Sequence, residues 1–173
     1  EQLRFRMDAE VPVRVIPRLG LHVVLGRDLL EVVLEQACTE AMRWQREGLG
    51  QFSVSVNLSV RQGDEIVYID RAFSERSGMQ VVRAIGGRAP LHLTSIGKLF
   101  LSVDDPKLVR AYATRTGLAG NNKNSITDLA KLERELSLVR ARGYARDNEE
   151  LELGVRCMAA AVRDDAGRLI AGL

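Results

Sequence analysis

The spacing of apolar residues changes period several times along the chain, and each change marks an element. Residues 1–27 hold Pro12, Pro17, Gly20 and Gly26, which interrupt any long helix, so the stretch reads as a connector between domains. From Asp28, the apolar positions Leu29, Val32, Val33, Ala37 and Met42 recur near helical spacing as far as Trp44. Asp28 suits the N-cap, and Gly48 or Gly50 ends the helix. Trp44, the single tryptophan, reads as core or interface packing. Between Ser53 and Val60 the period drops to two: Val54, Val56, Leu58 and Val60 alternate with Ser53, Ser55, Asn57 and Ser59. That alternation predicts a half-buried strand.

Gln62-Gly63-Asp64 supplies a turn, and Glu65–Asp70 returns as a second strand. A third strand is expected from Met79 to Ile85, after which Gly86-Gly87-Arg88-Ala89-Pro90 breaks the sheet. Thr94 or Ser95 then caps a helix reaching about Val103, and Asp105-Pro106 starts another through Arg115, with proline at the tolerated first position. The polar loop Gly117–Asn124 reads as mobile. It leads to the cap-like Ser125-Ile126-Thr127-Asp128 and a helix through Arg142, stopped by Gly143. Strand-like segments Tyr144–Asp147, Cys157–Val162 and Arg168–Leu173 complete the pattern, the last only begun. The order α, βββ, ααα, βββ predicts an α+β domain of antiparallel strands with helices packed on them.

Composition narrows the classes. The 173 residues allow one domain or two small ones, and a hydrophobic fraction of 46% with 28% charged residues excludes disorder. A formal charge of +2 is too balanced for a module that grips nucleic acid. Cys38 and Cys157 are far apart and form no CxxC, which fits a reducing cytosol rather than a disulfide scaffold. No apolar run approaches a membrane span, and the first residues lack signal-peptide character. With no initiator methionine, the chain is expected to be a fragment of a longer protein.

Candidate chemistry is sparse. There is no phosphate-loop, dinucleotide-binding or zinc-protease motif, and His22 and His92 lie at no metal-ligand spacing, so neither metal nor cofactor is expected. His92 reads as a packed, hydrogen-bonded residue at a strand–helix junction. The helix start behind it is more informative. The free amides of Ser95, Ile96 and Gly97 favour a carboxylate, and Gly97 permits close approach of a ligand or of a neighbouring backbone. Asp147-Asn148-Glu149-Glu150 reads by default as a solvated turn, and Cys157 as a small buried hydrophobe. In a curved sheet, Asp147, Cys157 and the helix start could converge on one pocket.

Three ordered blocks carry a family resemblance. They are Gly63-Asp64-Glu65-Ile66-Val67-Tyr68-Ile69-Asp70-Arg71, then Gly86-Gly87-Arg88-Ala89-Pro90-Leu91-His92 with Thr94, Gly97 and Lys98, and then Arg142-Gly143-Tyr144-Ala145 with Asp147, Glu149, Glu150, Gly154-Val155-Arg156-Cys157 and Val162-Arg163-Asp164. Together they resemble the effector-binding domain of IclR-family transcriptional regulators. The resemblance implies a GAF-like α+β fold over residues 28–173, a curved antiparallel sheet with helices on it, and a last strand that is incomplete. It implies a small-molecule effector, an organic acid or aromatic metabolite, held by Ala89, Ser95, Ile96, Gly97, Asp147, Val155 and Cys157. It further implies no enzymatic activity, a cytoplasmic homo-oligomer (dimer or tetramer), and DNA binding only through an N-terminal winged helix–turn–helix absent from this chain. Asn148 stands where the family has a second Asp, which leaves the pocket's polarity open.

A shorter stretch points elsewhere. Leu34–Cys38, Trp44–Gly48 and Ser55–Gln62 look like part of the EAL cyclic-di-GMP phosphodiesterases, although the acidic metal-binding pattern of that barrel is not found beyond Gln62. The alternative function is therefore an enzyme, either a degenerate phosphodiesterase or a hydrolase using Cys157.

Overall fold

A computed structural model describes residues 38, 39, 42, 43, 45–48, 55–73 and 85–173. The connector, the start of the Asp28 helix, Trp44 and residues 79–84 of the expected third strand lie outside them. Cys38, Thr39, Met42, Arg43, Gln45 and Arg46 are helical, and Gly48 takes φ 87°, the left-handed turn that ends such a helix.

Six strands form one antiparallel sheet in the order β3-β2-β1-β6-β5-β4. They are β1 (Ser55–Gln62), β2 (Glu65–Phe73), β3 (Arg88–Pro90), β4 (Tyr144–Asn148), β5 (Arg156–Arg163) and β6 (Leu169–Gly172). The expected break at residues 86–90 is only half right. Gly86 and Gly87 turn the chain, but Arg88–Pro90 pairs with β2, with Ile66 opposite Ala89 and Glu65 opposite Pro90. Proline is tolerated there because β3 is the edge strand and Pro90 its last residue, so no ladder hydrogen bond is lost.

Beyond that first helical stretch, the described residues form three more helices: α1 (Ser95–Val103), α2 (Pro106–Thr116) and α3 (Leu129–Arg142). Their ends are set by local chemistry. Thr94 caps α1 by accepting the Gly97 amide at 3.0 Å; Asp105 caps α2 through the Lys107 amide at 2.7 Å; Asp128 caps α3 through the Lys131 amide at 2.9 Å. Gly117 and Gly143 close α2 and α3 with φ of 62° and 79°. Of the alternatives open at α1, Thr94 is the cap and Ser95 the first helical residue.

At nine residues α1 is too short to be stable alone. Burial holds it: every residue from Ser95 to Ser102 is buried, and each of Ile96, Leu99, Phe100 and Leu101 contributes on the order of 1.5–3 kcal/mol by leaving water. Preceded by the 3-10 turn Leu91–Leu93, α1 packs against β1, β2, β4, β5, β6 and α3. One short helix can touch that many strands only if the sheet curves around it. A principal core joins Ile66 and Ala89 at one side, Ala145 and Ala159 at the other, and Leu132, Leu136 and Val139 from α3.

The strand β1 departs from expectation in its burial. Val56 and Leu58 form a second cluster with Ala171 on the outer face, yet Ser59, on the polar face of the alternation, is wholly buried as well. Flanked by β2 and β6, β1 is a central strand, and Ser59 on its polar face lies against the core beneath α1 while Ser55 and Asn57 stay half-buried.

Candidate functional site

The register brings two of the sequence-predicted residues face to face. Asp147 on β4 is the cross-strand partner of Cys157 on β5, one pair removed in face from Ala145 and Ala159, which are core residues beneath α1. Because alternate residues share a face, Asp147 and Cys157 look toward the same side as that core. The structure thus gathers Asp147, Cys157 and the start of α1 on the concave side of the sheet. Ala89, although on the opposite edge strand, belongs to the same core as Ile96.

Two default readings fail here. The acidic cluster is not a solvated turn: Asp147 is 4% exposed and Glu150 8%. Cys157 is not buried but exposed. Burial pushes the Asp147 carboxyl up to about 6, with the charge of Glu150 adding to the rise and the Glu150 amide and Lys98 opposing it. That amide donates to Asp147 Oδ1 at 2.8 Å and locks the carboxyl in place. The thiol of Cys157, crowded by protein on its inner side although its residue reaches the surface, is raised to about 11, mainly by desolvation and further by Asp147. At neutral pH it is a thiol, not a nucleophilic thiolate.

The start of α1 is partly committed. Thr94 Oγ1 takes the Gly97 amide, and a Cβ on Gly97 would lie 2.3 Å from the Leu91 carbonyl oxygen. Gly97 therefore serves the close approach of the chain's own backbone. Ser95 and Ile96, in the first turn, have no intrahelical acceptor and are the donors left to an incoming anion. Val155 is set apart from this group. It is exposed, precedes β5, and links the loop through backbone bonds from its amide to Glu152 and from Glu149 to its carbonyl.

Two features escaped the sequence. Lys98 on α1 is wholly buried, with Nζ 2.7 and 2.6 Å from the two carboxylate oxygens of Glu150. Glu135 stands 4.0 Å from the same Nζ and is itself bonded to Arg142 at 2.5 Å. This pair ties α1 to the β4–β5 loop one turn after the free amides. A lone lysine in the apolar run Leu91–Leu101 was the available signal, since lysine is almost never fully buried without a partner. The second feature is the loop read as mobile. Asn122 Nδ2 donates to the Glu149 carbonyl at 3.0 Å, and Ser125 Oγ to the Glu150 carbonyl at 2.7 Å, so it buttresses the acidic turn.

His92 behaves as expected. It is buried, its Nε2 lies 3.0 Å from the Ala119 carbonyl and its Nδ1 2.6 Å from the Tyr112 hydroxyl. The carbonyl can only accept, which assigns the proton to Nε2 and makes Nδ1 the acceptor of a neutral ring. Burial lowers its pKa in agreement.

A cleft of about 630 Å³ lies elsewhere, lined by Arg61, Asp64, Asp104 and Arg115 around Phe100, Leu169 and Ile170. None of its lining residues belongs to the set above. Its charges are paired, Arg61 with Asp104 at 2.7 Å and Arg115 with Asp64 at 3.0 and 2.7 Å, so it has little left to offer a ligand. Among the described residues no group of three His, Cys, Asp or Glu is arranged to hold a metal, and no helix is long and apolar enough to cross a membrane.

Comparison with known proteins places this geometry. The family model described as the bacterial transcriptional regulator IclR C-terminal matches residues 38–173. That span takes in most of the EAL-like stretch, which is therefore part of this domain rather than a piece of a phosphodiesterase. The Pca regulon regulatory protein of Pseudomonas putida is 31% identical over 123 residues, covering 71% of this chain and 42% of the relative. The HTH-type transcriptional regulator KdgR of Dickeya chrysanthemi is 37% identical over 119 residues, covering 69% and 39%. The chain thus spans about two fifths of the length of these two relatives. Among solved structures, a double mutant of the PobR inducer-binding domain from Acinetobacter, in complex with 3-hydroxybenzoic acid, superimposes with a TM-score of 0.64 at 30% identity, covering 69% of this chain and 70% of that one. These relatives are regulators, and none supports the enzyme alternative.

Proposed function

The chain belongs to the IclR family of bacterial transcriptional regulators, as their C-terminal effector-binding domain, and from that premise we propose that a small organic acid is sensed between the start of α1 and the Asp147–Cys157 pair. The carboxylate of the effector accepts the Ser95 and Ile96 amides, where hydrogen bonds and the helix dipole act together. Asp147 accepts from a hydroxyl or carries a shared proton, Cys157 and Ala89 line the walls, Gly97 lets the start of α1 close on Leu91, and Val155 acts from outside by holding the β4–β5 loop through its backbone bonds. The observation that carries this reading is the buried Asp147 carboxyl, raised to about 6 and facing the side on which α1 packs.

Sensing requires that the ligand bind two arrangements unequally. The Lys98–Glu150 pair joins the first turn of α1 to the β4–β5 loop, so a ligand at that turn would bear on both at once. A shift of α1 against the sheet would alter packing between copies of the protein in a dimer or tetramer. In the longer protein, that shift would set the spacing of winged helix–turn–helix modules on DNA in the cytoplasm. Aromatic hydroxy acids are natural probes, since a related inducer-binding domain holds 3-hydroxybenzoic acid. Calorimetry with 3-hydroxybenzoate, 4-hydroxybenzoate and lactate should show binding of at least one acid, weakened about tenfold or more in Asp147→Ala, the loss typical of one buried charge-assisted hydrogen bond. Unchanged affinity in that variant removes Asp147 from the site.

A further inference from the structure

The strand β1 holds a polar group with no structural use. Ser59 is 0% exposed and its hydroxyl has no hydrogen-bond partner. Its direction follows from the register. Ser59 is the cross-strand partner of Gly172 on β6, and a Cβ on Gly172 would lie 2.6 Å from Ile96 Cγ2. That face of β6 therefore lies directly beneath the first turn of α1, and directly paired residues share a face. On the other side Ser59 is paired with Tyr68, which packs against the same core as Ile96. Asn57 and Ser55 continue the polar row along β1, the Asn57 amide reaching Ser55 Oγ at 3.5 Å. An alanine at position 59 would fill the same space without burying an unbonded hydroxyl, so a group outside the fold is needed to complete it.

We propose that Ser59 is a specificity-determining residue of the effector site, its hydroxyl bonding a hydroxyl or carbonyl substituent of the acid whose carboxylate sits on the Ser95 and Ile96 amides. The ligand class is thereby a hydroxy- or oxo-substituted carboxylic acid rather than a plain aliphatic or aromatic one. This rests on the site assigned above and adds a floor to it. The discrimination follows from hydrogen bonding: a site built to pair a ligand hydroxyl rejects the analogue that lacks it far more strongly than an apolar pocket rejects a shape.

The test uses the purified chain and its Ser59→Ala variant with two readouts. Without ligand, Ser59→Ala should melt about 2–4 °C higher than the parent chain, because an unsatisfied buried group is gone. A melting temperature that is unchanged or lower shows that the fold or a resident water already completes the hydroxyl, and overturns the proposal. With ligand, calorimetry compares the matched probes 4-hydroxybenzoate with benzoate and lactate with propionate. The parent chain should favour the hydroxylated acid of at least one pair by about tenfold, and Ser59→Ala should lose that preference while binding the plain acid as before. Equal binding within both pairs, no binding of either hydroxylated acid, or a preference that survives in Ser59→Ala each overturns it. Asp147→Ala separates the two readings: if that variant loses binding while Ser59→Ala keeps the preference, only the Ser59 assignment fails. If acids bind Asp147→Ala as tightly as the parent chain, the site itself is misplaced.

Discussion

The two ends of α1 treat polar groups in opposite ways. Its last turn and the following Asp104 border an open cleft, where Arg61, Asp104, Arg115 and Asp64 are matched in pairs and reached by water. Its first turn is closed, yet there the amides of Ser95 and Ile96 lack helical acceptors, Asp147 is buried with its carboxyl raised to about 6, and Ser59 has no partner at all. The two ends thus differ in what each could gain from a ligand. Charges already satisfied in a high-dielectric cleft gain little from a ligand, whereas buried groups short of partners gain the full cost of their desolvation when one arrives.

The sharpest way to strain this contrast is at Lys98. Replacing it by Met keeps the length of the side chain but leaves Glu150 buried without its counter-charge, and should cost about 3–5 kcal/mol of stability. Urea unfolding of Lys98→Met measures the loss, and adding Glu150→Leu should restore most of it, because removing both charges is nearly neutral where removing one is not. A small loss in the single variant would mean that this end is as well hydrated as the cleft.

A second test works through pH. The Asp147 carboxyl has an ordinary value of 3.8 and titrates near 6 in the fold. Between those values the folded protein keeps a proton that the unfolded chain has released. The stability it contributes is complete below the ordinary value and is lost as pH rises through 6. Asp147→Asn keeps an oxygen for the Glu150 amide and carries no charge. It should therefore be more stable than the parent by about 2 kcal/mol at pH 7.5, with the advantage vanishing near pH 4. His92, whose pKa is lowered by burial, has the opposite slope: its unfolded form takes up a proton first, so stability falls as pH drops through its ordinary value. Comparing parent and variant at each pH cancels that contribution. An advantage independent of pH would point to packing instead of charge.

What the sequence could and could not show follows from the range of the interactions. The caps Asp105 and Asp128 and the stop Gly143 act within four residues and were legible from spacing, whereas Gly117, which closes α2, read only as the start of the polar loop. The family blocks pointed to the Asp147 and Cys157 region, and the register then made the two residues neighbours. Lys98 and Glu150 stand 52 positions apart, and nothing local joins them. The alternation of Ser55, Asn57 and Ser59 with valine and leucine was plain, but which face met water depended on β6 arriving from the far end of the chain. Pro90 read as a breaker because the rule for proline in strands depends on knowing that β3 is an edge.

The smallest predicted effect is at the cleft, and it decides whether the contrast between the two ends is real. Arg115 binds Asp64 through two nitrogens, but the side chains are 55% and 34% exposed, so water and salt screen most of the attraction. Arg115→Ala should therefore leave the urea-unfolding midpoint almost unchanged, with the small loss shrinking further at high salt, and should leave acid binding unchanged. The Arg115 hydrogen bond that lowers the Asp64 carboxyl does not alter this, because a pair so exposed is easily replaced by solvent. A large drop in the urea midpoint, or a change in acid affinity, would show that the cleft communicates with the start of α1 along Phe100 and the helix itself. In that case α1 would be a lever with a working site at each end, and the paired charges would be a latch rather than a seam.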